Sequence, residues 1–65
     1  MTFYEWLMTQ VDRDDPIGDF AQDVKRDKKF PKTVKTRIGL LRHITGADSV
    51  VIETARKAWG KYEQR

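Results

Sequence analysis

The sequence predicts an all-α fold, a compact four-helix bundle forming a single domain over residues 1–65. Three observations predict it. Four segments carry apolar residues three or four apart, the period of a helix with one buried stripe. Each segment follows a residue suited to cap a helix start. No segment alternates apolar and polar residues with period two for long, and no internal repeat or low-complexity tract is visible. The 65 residues fit one domain, and their 38% hydrophobic content with seven aromatics can build a core despite 35% charged residues.

The first helix is expected over about Thr2 to Gln10. Phe3, Trp6, Leu7 and Gln10 follow helical spacing, and Thr2 supplies a capping hydroxyl. The segment Val11–Pro16 breaks it. Asp15 then Pro16 start the second helix, since Asp accepts from orphan N–H groups and Pro lacks an N–H. Asp19 adds negative charge in the first turn, where the helix dipole favours it. Ile17, Phe20, Ala21 and Val24 form its stripe, and Lys28 on the same stripe ends it near Asp27. Pro31 disfavours helix at Phe30.

Thr33 is the expected cap of the third helix, with Val34, Ile38, Leu41 and Ile44 on one face and Gly46 as its C-terminal glycine. Asp48 or Ser49 caps the fourth. There Val51, Ile52, Ala55, Ala58, Trp59 and Tyr62 fill one side, and Glu53, Arg56, Lys57, Gly60, Lys61 and Glu63 fill the other. The candidate core is therefore Phe3, Leu7, Ile17, Phe20, Val24, Phe30, Ile38, Leu41, Ala55, Trp59 and Tyr62. Phe30 lies in the segment Asp27-Lys-Lys-Phe-Pro-Lys-Thr33, between two helices. So small a domain has little core surface to spare, and Phe30 is expected to plug the bundle while Pro31 fixes the path.

Four motifs give a family resemblance. Phe3-Tyr4-x-Trp6-Leu7 opens the chain. Asp15-x-Ile17-x-Asp19-Phe20-Ala21 and Asp27-x-x-Phe30-Pro31-Lys32-Thr33 form its centre, and Ala58-Trp59-x-x-Tyr62 ends it. The pattern resembles the YozE family, small bacterial proteins whose fold is like the sterile alpha motif (SAM). The resemblance spans nearly the whole chain and implies a four-helix SAM-like bundle. It implies no activity and supplies no catalytic residue. This chain departs from the family in its third and fourth helices, which are more basic, with Arg37, Arg42, Arg56, Lys57 and Lys61.

Several function classes find little support. With no cysteine and one histidine, disulfides and the usual structural zinc sites are excluded. No glycine-rich loop is present to cradle phosphates. His43 falls on the polar side of the third helix and is expected to be solvated. Asp12, Asp14 and Asp15 lack the spacing of a calcium-binding loop and read as a turn. No apolar run approaches the length of a membrane span, and the first ten residues lack the features of a signal peptide. The expectation is a non-enzymatic, cytoplasmic protein with no cofactor, no metal, no small-molecule substrate and no membrane partner.

Charge is the remaining signal. Residues 1–24 hold six acids and one base, a net −5, while residues 25–65 hold twelve bases and four acids, a net +8. Within residues 25–37, Lys25, Arg26, Lys29, Lys32, Lys35 and Arg37 form a candidate nucleic-acid-binding patch. Lys25, Arg26 and Lys29 are expected on one face of the second helix. Lys32 and Lys35 lead into the N-terminus of the third, whose N–H groups favour anions. Lysines that contact phosphates release counterions and bind with little sequence preference. Two other readings stand beside nucleic acid. One is a solvated face that balances the acidic half. The other is a protein-interaction module, homotypic or with another protein, that uses oppositely charged faces.

Overall fold

The computed structural model describes residues 1–65. Four helices follow one another: α1 (Phe3–Met8), α2 (Pro16–Arg26), α3 (Arg37–His43) and α4 (Ser49–Glu63). α4 is the hub and packs against the other three, and α1 also packs against α2. The molecule measures 25 × 23 × 22 Å.

Local chemistry sets the helix starts. Thr2 and Glu5 form a reciprocal capping box: Glu5 N donates to Thr2 Oγ1 at 3.1 Å, and Thr2 N donates to Glu5 Oε1 at 2.8 Å. α1 is shorter than its apolar spacing suggests. Residues beyond Met8 continue as turns, where Gln10 N donates to Leu7 O at 2.8 Å and Arg13 N to Gln10 O at 3.0 Å. Asp15 caps α2 through Gly18 N at 3.0 Å, with Pro16 in the first turn as expected. Asp48 caps α4 through Val51 N at 3.1 Å.

Gly18 has a specific reason to be glycine. A Cβ there would lie 2.7 Å from the carbonyl carbon of Arg13 and 2.9 Å from its Cβ. The turn before α2 folds directly onto the helix's first turn, and only a bare Cα leaves room.

α3 departs from the sequence reading. Its cap is Thr36, whose hydroxyl accepts from Gly39 N at 3.0 Å, and not Thr33. Val34 N donates to Pro31 O at 3.1 Å, so Val34 belongs to the turn after the proline. The expected stripe takes its phase from Val34. With the start at Arg37, that phase is lost. Ile38 is 65% exposed and leaves the candidate core, Leu41 is half-buried, and Leu40 takes the core position with no exposed surface. The helix also ends early. Ile44 is its C-cap, Ala47 N closes a turn on Ile44 O at 2.9 Å, and Gly46 has no positive φ. Gly46 is therefore not a left-handed C-terminal glycine.

The core gathers Phe3, Trp6, Leu7, Ile17, Phe20, Ala21, Val24, Phe30, Leu40, Ala55, Ala58 and Trp59. Phe3 is fully enclosed, its ring 4.9 Å from Trp59, 5.9 Å from Trp6 and edge-on to Tyr62 at 5.5 Å. Tyr62 is only half-buried, because its hydroxyl reaches the surface and donates to Met1 O at 2.7 Å. Thr54 is buried and its hydroxyl donates to Val50 O at 2.8 Å, an intrahelical bond that makes its burial tolerable. Every buried side-chain nitrogen or oxygen has a partner.

Candidate nucleic-acid interface

The basic segment begins where α2 ends. Asp27 is the C-cap of α2 and the anchor of the loop that leads to α3. Its Oδ1 accepts from Lys29 N at 2.9 Å, and its Oδ2 meets His43 Nε2 at 2.9 Å. The His43 contact first, and the Lys29 N–H second, hold the Asp27 carboxyl below the ordinary carboxylate range. Phe30, 4% exposed, sits between α1 and α3, with Tyr4 at 6.0 Å and the His43 ring edge-on at 5.4 Å. Lys32 places its ammonium 5.4 Å from the centre of the Tyr4 ring. The segment is thus tied to α1, to α3 and to the core, although it contains no helix.

The six candidate residues separate into two groups. Lys25 and Arg26 stand in the last turn of α2, and Lys29 lies just beyond it in the turn closed by Asp27. Lys29 is therefore not on the α2 face where its spacing puts it. Lys35 and Arg37 line a shallow depression against the C-terminal half of α4, with Thr36, Trp59 and Glu63. Lys32 comes between them in the chain, with its ammonium over Tyr4. The N-terminus of α3 begins after Lys35 and not at Thr33, so Lys35 approaches it from outside the helix.

Their electrostatic states differ as well. Arg26 pairs with Asp23 at 3.2 Å and Arg37 with Glu63 at 3.1 Å, both on the exposed surface. Lys25, Lys29, Lys32 and Lys35 are exposed and have no acid within ion-pair distance. The lysines are the available charges, and the two arginines are partly committed.

The acidic turn is organised around a base. Arg13 donates from Nε and Nη2 to Asp15 Oδ2 at 2.9 and 2.6 Å, and from Nη1 to Gln10 Oε1 at 3.0 Å. The Arg13 guanidinium, then the Gly18 N–H, lower the Asp15 carboxyl from its ordinary value. Asp15 is thus used twice, as cap and as ion-pair partner. No three side chains of His, Asp or Glu converge into a group that could hold a metal ion. No helix is long and apolar enough to cross a membrane.

Two features escape sequence reasoning. His43 is bonded to Asp27 and rests on Phe30; its partner is sixteen residues away, so no local pattern announces the contact. A groove also opens between α2 and α4, about 210 Å³, lined by Pro16, Asp19, Phe20, Asp23, Val50, Val51 and Thr54. Val50 is 68% exposed beside it. It lies outside the α4 apolar stripe, so the spacing assigns it no role.

The comparison with known families bears on the whole chain. Residues 2–64 match the family described as YozE SAM-like fold. The chain belongs to the YozE family. The four helices around one core are the SAM-like fold of that family, as the opening, central and closing motifs imply. No curated protein and no solved structure matches the chain. The YozE match carries a fold and no reaction.

Proposed function

We propose that this YozE-family chain is a non-enzymatic binding domain that contacts nucleic-acid phosphates through Lys25, Lys29, Lys32 and Lys35. One observation carries the reading: these four lysines are exposed without acidic partners, Lys25 in the last turn of α2 and the other three on the segment that Phe30 and Asp27 fix in place. A phosphate that meets such an ammonium displaces counterions without first breaking an ion pair. The anchored backbone reduces the ordering cost of the contact. Arg26 and Arg37 flank the lysines and join only by leaving Asp23 and Glu63. The same reading assigns the protein to the cytoplasm, where nucleic acid is at hand and a chain without cysteine loses nothing to a reducing medium.

Fluorescence anisotropy with labelled duplex DNA and RNA, over a salt series, tests this. Binding should be insensitive to sequence, with a dissociation constant of about 10⁻⁴–10⁻⁶ M at physiological salt. Absence of binding at low salt to both polymers would remove the reading.

A further inference from the structure

Ile38 and Val50 are the two large aliphatic side chains, apart from the N-terminal Met1, that stand mostly in water, 65% and 68% exposed. Each costs hydrophobic stabilisation that a buried position would return. Bases flank Ile38, whereas Val50 has the acids of α2 on its groove side and Arg13, Glu53, Lys57 and Lys61 around a depression on its other side. Ile38 is in the first turn of α3, between Lys35 and Arg37 on one side and Arg42 on the other. Arg42 is four residues on, hence on the same helix face, and has no acidic partner. Val50 borders the groove between α2 and α4. That groove has an apolar floor of Phe20 and Val51 and an acidic wall of Asp19 and Asp23, which share one face of α2 by the same four-residue spacing. Asp19 is unpaired, and Asp23 meets only the exposed Arg26.

We propose that Ile38 of one molecule docks beside Val50 in the α2–α4 groove of a second copy of this chain, with Arg42 facing Asp19 and Asp23. The two patches are different surfaces, so the contact is heterologous and repeats from copy to copy. They do not satisfy each other within one molecule, since both aliphatics remain two-thirds exposed. Arg37 marks the Ile38 end of the molecule by pairing with Glu63. Glu63 and Val50 are thirteen residues apart on α4, about 20 Å at 1.5 Å per residue. Charge complementarity selects the partner: a basic knob with an apolar tip meets an acidic groove with an apolar floor. The contact is in the small class, below about 1,200 Å² in total, so it forms at high protein concentration and responds to salt.

Sedimentation equilibrium of the full chain, taken into the millimolar range, tests the contact. At about 0.05 M salt the apparent mass should climb above that of one chain. It should fall back at about 0.5 M, as the screening length drops from roughly 14 to roughly 4 Å. Ile38→Glu, repelled by the acidic groove, and Val50→Lys, which repels the basic knob, should each be monomeric. An equimolar mixture of the two should associate again, because each variant keeps the half that the other lacks. Both sites are exposed, and circular dichroism melts check that each variant folds. Should one not fold, Arg42→Glu replaces the first or Asp19→Lys the second in the same mixing experiment. A wild-type chain that stays monomeric at low salt overturns the proposal. So do single variants that associate like wild type, or a mixture that stays monomeric.

Discussion

Asp27 and His43 stand sixteen residues apart in the chain and are joined by a 2.9 Å contact between Oδ2 and Nε2. The contact ties the C-cap of α2 to the last turn of α3 and closes residues 28–42 into a loop over Phe30. Because the Asp27 carboxyl is held below its ordinary value, its contribution to stability is present above that value, about 3.8, and is lost as pH falls through the lower folded value. Glu5 and Asp15 are lowered in the same sense, so all three contribute to acid unfolding. Asp27→Asn should lower the melting temperature at neutral pH and remove part of the loss seen on acidification. Melts from pH 7 to pH 2 check this. Wild-type and variant curves that stay parallel throughout would show that the contact is not linked to folding.

Phe30 gives the largest single effect expected in the loop. Its ring is 4% exposed, with Tyr4 and His43 against it. Within residues 27–36 it is the one member of the buried core, and Val34 only packs against the core's edge. Phe30→Ala should cost about 3 kcal/mol or more. That is a large share of the 5–15 kcal/mol typical of a domain's total stability. Urea unfolding followed by circular dichroism measures it. An unchanged midpoint would place the ring outside the core.

Gly18→Ala reverses the usual sign of that substitution. In a helix interior, alanine is favoured over glycine by about 1 kcal/mol. Here the new methyl group would collide with the Arg13 backbone, which cannot swing aside as a side-chain tip can. Overpacking of this kind costs about 1–3 kcal/mol. A net loss of stability is therefore expected, with the turn before α2 displaced. A gain in melting temperature would mean that the turn moves away freely.

α3 supplies a paired comparison. Leu40 is fully buried, and Leu40→Ala should cost about 2–5 kcal/mol. Ile38 is 65% exposed, and Ile38→Ala should change stability by no more than about 0.5 kcal/mol. A larger loss at Ile38 than at Leu40 would restore the helix phase that starts at Thr33.

The same helix shows where the sequence is legible. α2 and α4 are long, and their caps, Asp15 with Pro16 and Asp48, admit few alternatives, so their starts can be read to within a residue or two. α3 has seven residues, and two threonines three positions apart offer equally good caps. A start at Thr33 keeps Val34 in phase with Ile38 and moves Leu40 out of the core. The deciding fact, that the turn after Pro31 extends through Val34, is a backbone hydrogen bond with no residue signature. The basic residues are legible as a list, since composition alone names them. Which of them are free is not, because Glu63 and Asp23 become partners only once α3 lies on α4 and α2 is wound. His43 escapes for a similar reason: its helix face is polar, but a carboxylate from another element waits there.

The four lysines answer to one measurement. If Lys25, Lys29, Lys32 and Lys35 each meet a phosphate, the log–log salt slope for duplex DNA should be roughly −3.6. Changing any one of them to glutamine should flatten the slope by about one unit and weaken all sequences alike. Arg37→Gln should do less, because the wild-type arginine must first release Glu63. Lys32→Gln carries a second signature, since it also removes the ammonium from the Tyr4 ring. The other three substitutions should leave the melting temperature nearly unchanged, as surface changes away from caps and core do. A slope that stays constant across the lysine series would mean that bound DNA lies elsewhere on the surface. The next positions to vary would then be Arg56, Lys57 and Lys61 on the exposed face of α4.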